Sequence, residues 1–157
     1  VLAPVLTRQN PGVTVLRDYH AENIMLPADG TQGLIDFQDA LVGHPAYDLV
    51  SLLQDARRDV SPLLERAMVD RYVAAARPGG DFEADYAVLG AQRNAKIAGI
   101  FTRLAKRDGK PRYLDLIPRV WGLLERDLAH PAVKPVAVWF AENIPPPVRA
   151  NLGGGAS

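Results

Sequence analysis

The chain has no cysteine among its 157 residues, so disulfides and thiolate metal sites are excluded. Histidine is nearly as scarce. The three present, His20, His44 and His130, show neither H-E-x-x-H nor any close pair spacing, a poor basis for a zinc site. Charge of one sign is not in excess: 18 basic residues face 18 acidic ones. Nothing there calls for nucleic acid or an anionic membrane as a partner. No apolar run approaches the ~20 residues that a membrane span needs. Val1-Leu2-Ala3-Pro4 lacks the basic start and long apolar segment of a signal peptide, so the default expectation is a cytoplasmic protein. What is present is ordinary: 48% apolar and 23% charged residues, enough for one domain with a real core.

Residues 13–37 concentrate the chemistry. A β-prone run, Val13 to Leu16, delivers Arg17-Asp18 into a polar loop. Asn23 follows, and then a second apolar run, Ile24-Met25-Leu26. The turn Ala28 to Gly33 leads into Leu34-Ile35 and then Asp36-Phe37. Two short strands joined by that turn bring Asn23 and Asp36 near each other, with Asp18 in the loop before them. Two carboxylates and one amide, all oxygen donors, then converge at one end of a small hairpin. Such a set suits Mg²⁺–nucleotide chemistry, because Mg²⁺ shares its shell with phosphates and water and needs only one or two protein carboxylates. Taken singly, each residue has a plainer reading as a solvated turn residue. Asp36 ends an apolar run, however, where a carboxylate buried without a partner is costly.

The spacing Asp18-x4-Asn23, with Asp36 before Phe37, resembles a kinase catalytic loop and the start of its D-F-G segment. Leu16-Arg17-Asp18 stands where H-R-D would stand, and Leu16 is a departure from that pattern. His20 fits the small-molecule branch, aminoglycoside phosphotransferases and choline kinases, whose loop often reads D-x-H-x-x-N. Three further segments resemble the bacterial anomeric N-acetylmuramate/N-acetylglucosamine kinases: Asp36-Phe37-Gln38-Asp39-Ala40, Gly43-His44-Pro45-Ala46-Tyr47-Asp48-Leu49, and Gln92 to Leu104. The resemblance spans roughly residues 13–142. It implies an α+β, mostly helical chain: the C-terminal lobe of a protein-kinase-like fold, with a small β-hairpin carrying the catalytic and metal-binding loops. It implies ATP as co-substrate, Mg²⁺ as cofactor and a small-molecule sugar as acceptor in cell-wall recycling. Asp18 is then the catalytic base, and Asn23 and Asp36 are the metal ligands. Arg17, His20 and Asp48 brace the loop, although Arg17 could instead face the phosphate and Asp48 could simply cap a helix. Gln38 and Asp39 are candidate substrate contacts, as are Arg93, Asn94 and Lys96, for which a solvated helix face is the plainer alternative. Within the class, an aminoglycoside or choline is the alternative acceptor. The 7% aromatic content gives no sign of a cation–π cage, and no dense acidic cluster awaits a polycation. Outside the class stands a non-catalytic scaffold lobe.

A kinase-like enzyme also needs a phosphate-covering loop and a Lys–Glu pair from an upstream lobe. The chain has no G-x-G-x-x-G and no P-loop pattern. Residues 1–12 therefore read as a lead-in from a missing N-terminal lobe, 13–142 as the C-terminal lobe, and 143–157 as a flexible tail. The 157-residue chain alone is expected to be inactive.

The pattern predicts a loop over 38–47 and a buried helix opening at Asp48. Ser61-Pro62 starts the next helix, to about Ala76, and Pro78-Gly79-Gly80 ends it. Asp81 opens a long helix to about Arg107. The next covers roughly Tyr113 to Leu128, with Pro118 marking either a kink or a true start near Ile117. A short segment with Val136, Trp139 and Phe140 packs last, and Pro145-Pro146-Pro147 reads as frayed tail.

Overall fold

The computed structural model describes residues 1–8 and 12–150. Pro11 of the expected lead-in and residues 151–157 of the expected tail lie outside the described residues. The chain resolves into two compact units, 2–89 and 90–157, with the boundary inside one long helix. Helix is the main regular structure of both.

The first unit opens with α1 (Leu2–Arg8) and four very short strands, β1 (Val13–Val15), β2 (Ile24–Met25), β3 (Gly33–Leu34) and β4 (Leu41–Gly43). β2 and β3 form the expected hairpin, with Ile24 opposite Leu34 and Met25 opposite Gly33. Its turn is fixed locally. Asp29 accepts from the backbone N–H of Thr31 at 3.0 Å and from its hydroxyl at 2.7 Å. Those bonds hold the Asp29 carboxyl below the usual carboxylate range. β1 pairs antiparallel with β4, Thr14 opposite Val42. This corrects the loop expected over 38–47. Three residues are too few to display a strand's alternation, and only the partner strand reveals them.

Three helices complete this unit: α2 (Ala46–Leu53), α3 (Pro62–Ala76) and the start of α4 (Phe82–Lys106). α2 begins two residues before Asp48, with Ala46 and Val50 fully buried. The capping rules work well on α3. Ser61 Oγ accepts from the N–H of Leu64 at 3.2 Å, and Pro62 occupies the first turn. α3 closes at Arg77 in the left-handed region, φ 47°. Asp81 Oδ1 likewise accepts from the N–H of Ala84 at 3.0 Å at the head of α4.

The second unit holds the rest of α4, then α5 (Ile117–Leu128), α6 (Lys134–Asn143) and α7 (Pro146–Ala150). A 3₁₀ stretch, Pro111–Leu116, precedes α5, so Pro118 marks the true start rather than a kink. Its missing N–H falls in the first turn, where no intrahelical bond is lost. Ile117, Val120, Leu123 and Leu124 form the buried stripe of α5. Asp127 lies on the same stripe, 4% exposed, and takes a 3.0 Å hydrogen bond from the Asn94 amide. Pro146–Ala150 is helical rather than frayed. Arg149 explains this: its Nε donates to the Ile144 carbonyl at 2.6 Å, and its guanidinium pairs with Glu125 and lies 4.9 Å from the Trp121 ring centre. Among the described residues no helix is long and apolar enough to cross a membrane.

Candidate active site

The site is built on the first unit, where β1 runs into the Asp18 loop. Arg17 adopts φ 74°, a left-handed conformation costing a non-glycine residue about 1–3 kcal/mol. Its restraint comes from α2. Asp48 Oδ2 accepts from the N–H of Leu16 at 2.6 Å, and Oδ1 accepts from the N–H of Arg17 at 3.0 Å. Both carboxylate oxygens are thus directed at the loop, and the plain cap reading of Asp48 is corrected. With α2 starting at Ala46, Asp48 lies inside the first turn. Replacing Asp48 by Asn would keep one acceptor but turn an N–H₂ toward the other amide. Charge-assisted bonds to backbone are worth about 1.5–3 kcal/mol each. Amide exchange at Leu16 and Arg17 should therefore accelerate by about tenfold or more. Unchanged protection at both amides would show that the bracket does not hold the loop.

Asp18 follows, its side chain exposed. Its backbone carbonyl is the loop's internal anchor, accepting from the N–H of His20 at 3.0 Å and from the Asn23 side-chain amide at 2.9 Å. His20 is buried, and its Nε2 lies 3.4 Å from the same Asn23 nitrogen. A 3₁₀ turn over Ala21–Asn23 hands the chain to β2. The Asn23 carbonyl then accepts from the N–H of Ile35 at 3.1 Å, closing the hairpin's open end.

That closure places Asp36 beside Asn23, with the Asn23 amide 3.4 Å from Asp36 Oδ2. Asp36 is the second left-handed non-glycine residue of the site, φ 60°. Gln38 Nε2 donates to Asp36 Oδ1 at 2.5 Å. Gln38 therefore orients the Asp36 carboxylate in addition to any acceptor contact. Asp39 is exposed, one residue beyond. One amide and one carboxylate on adjacent strand ends fit Mg²⁺, which takes the rest of its shell from phosphate and water. Among the described residues no group of three or more His, Asp or Glu side chains is arranged to hold a metal.

The remaining candidates lie on α4 in the second unit. Lys96 is exposed. Arg93 is buried, 8% exposed, and Asn94 is completely buried against Asp127. A solvated helix face describes neither of these two. The Asn94 amide serves the helix packing of its own unit. Two polar clusters of the first unit escaped the sequence reading. Glu65, buried on α3, accepts from Gln54 and from the Tyr86 hydroxyl, each at 2.9 Å. His44 bonds Asp85 at 3.1 Å. Their one sequence signal is a charged residue at a position where helix periodicity asks for an apolar one.

Comparison with known proteins bears on the same residues. The model of the phosphotransferase enzyme family matches residues 2–89, the unit that carries Asp18, Asn23, Asp36 and Asp48. An N-acetylmuramate/N-acetylglucosamine kinase of Caulobacter vibrioides is 49% identical over 154 residues, covering 92% of this chain and 42% of the relative. Kinases of the same name match at 42% identity from Neisseria meningitidis, over 80% of this chain and 39% of theirs, and at 39% from Pseudomonas aeruginosa, over 77% and 38%. The chain thus spans about two fifths of the length of these relatives.

Proposed function

Since the chain belongs to the phosphotransferase enzyme family, we propose that it is the C-terminal lobe of a longer ATP- and Mg²⁺-dependent small-molecule kinase. The acceptor we assign is the anomeric hydroxyl of N-acetylmuramate or N-acetylglucosamine. The carrying observation is the Asn23 side chain, which reaches both the Asp18 backbone and the Asp36 carboxylate. It supports a reading in which an acceptor-orienting carboxylate and a metal-binding pair share one rigid hairpin end.

In this reading Asp18 accepts the hydrogen bond of the acceptor hydroxyl and points its oxygen at the γ-phosphate. Asn23 and Asp36 would hold Mg²⁺, which when bound supplies positive charge against the phosphate oxygens. Asp48 keeps the loop from relaxing out of Arg17's left-handed turn. Phosphoryl transfer asks the protein mainly for positioning and charge neutralisation, and these residues contribute to both. The kinase names of the relatives and the family's phosphotransferase description support the acceptor class.

The test is a side-by-side assay of the longer protein with ATP·Mg²⁺ and N-acetylmuramate, N-acetylglucosamine, an aminoglycoside and choline. Sugar 1-phosphate as the sole product is the expected result. Transfer to another acceptor would retain the chemistry and overturn the acceptor. No transfer to any would overturn the kinase reading in favour of a scaffold. The 157-residue chain assayed alone is expected to show no turnover.

A further inference from the structure

Asp48 aligns the Asp18 loop only if the first turn of α2 is itself fixed, and Pro45 at its cap position has no side-chain acceptor to fix it. His44 does so instead. Its Nδ1 accepts from the N–H of Ala46 at 3.2 Å, and its Nε2 lies 3.1 Å from Asp85 Oδ2 on α4. All three residues are buried: Ala46 0%, His44 6% and Asp85 2% exposed. An imidazole nitrogen that receives an N–H carries no proton, so the proton sits on Nε2 and is donated to the carboxylate. An imidazolium would set an Nδ1–H against the Ala46 N–H, two donors face to face. The ring is held further by Phe82, whose centroid lies 6.4 Å away at 26°.

We propose that His44 is a positioning residue for phosphoryl transfer. It ties the start of α2 to Asp85 and so sets where Asp48 presents its two oxygens to Leu16 and Arg17, one residue before Asp18. The chain of contacts is short and lies wholly within the first unit: Asp85, His44, Ala46, Asp48, then the loop amides. It rests on the reading of Asp18 as the acceptor-orienting group, and its first readouts do not involve activity.

Nitrogen NMR of the His44 ring in the 157-residue chain should show a bare Nδ1 and a protonated Nε2. A proton on Nδ1 would overturn the proposal. Amide exchange then separates the two bonds His44 makes. His44→Asn retains an acceptor for the N–H two residues on, as Asn does in turns, but cannot reach Asp85. His44→Gln reaches toward Asp85 without capping Ala46. We expect His44→Gln, which loses the Ala46 cap, and His44→Asn, which loses Asp85, each to accelerate exchange at Leu16 and Arg17 by about tenfold, with the Ser61-capped turn of α3 unaffected in both. Loop amides that keep wild-type protection in a folded His44→Gln chain would overturn it. In the longer protein, His44→Gln should lower kcat with little change in KM for ATP. If the loop amides respond and kcat does not, the positioning stands and the assignment of Asp18 falls.

Discussion

Replacing Asp18 by Asn in the longer enzyme should lower kcat by about 10²–10⁴-fold, the usual weight of a positioned proton acceptor. Folding should be unaffected, and the structure gives the reason. The loop is held by the Asp18 backbone carbonyl, which takes bonds from His20 and Asn23, and by Asp48 acting on Leu16 and Arg17. The Asp18 side chain is exposed, and none of these bonds uses its carboxylate. A surface substitution of this kind shifts stability by about 0.5 kcal/mol or less. The decisive experiment pairs steady-state kinetics with thermal unfolding of the same variant. A near-normal kcat would remove Asp18 from its assigned role. A collapsed melting temperature would show that its carboxylate does structural work the hydrogen bonds do not reveal.

The largest effect on stability should come from Gly90→Ala in the second unit. A Cβ built on Gly90 meets both carboxylate oxygens of Asp127 at 2.6 Å. Helix propensity by itself favours Ala over Gly by about 1 kcal/mol. Overpacking opposes it with about 1–3 kcal/mol. Displacing the buried carboxylate from the Asn94 amide at 3.0 Å adds about 1.5–3 kcal/mol, the worth of a hydrogen bond to a charged group. The clash wins, and a net loss of about 1.5–5 kcal/mol is expected against a total stability of about 5–15 kcal/mol. Gly99 on the same helix provides the control: a Cβ there meets nothing within 4 Å. Gly99→Ala should therefore raise stability by up to about 1 kcal/mol. Denaturant unfolding of both variants measures the opposite signs. The Gly90→Ala penalty should also shrink in an Asp127→Ala background, where the obstructing oxygens are gone. Equal effects of the two alanines would refute the Gly90–Asp127 packing.

Local features were legible in the order of the residues. Ser61, Pro62 and Asp81 marked helix starts because capping depends on neighbours two and three residues away. Pro118 marked the start of α5 for the same local reason. The hairpin joining Asn23 to Asp36 was legible from two short apolar runs and the turn between them. Features that depend on distant partners emerged only with folding. β4 is three residues long and exists because β1 lies beside it. Asp48 could read as a cap or as a brace until Leu16 and Arg17, about thirty residues upstream, were seen to donate to it. Asn94 read as one more polar residue on a helix until Asp127 placed it in a core. A carboxylate's partner is set by the fold's long-range geometry, whereas a cap or a turn is set by adjacent dihedrals. That difference separates what the chain's spelling disclosed from what its folding had to supply.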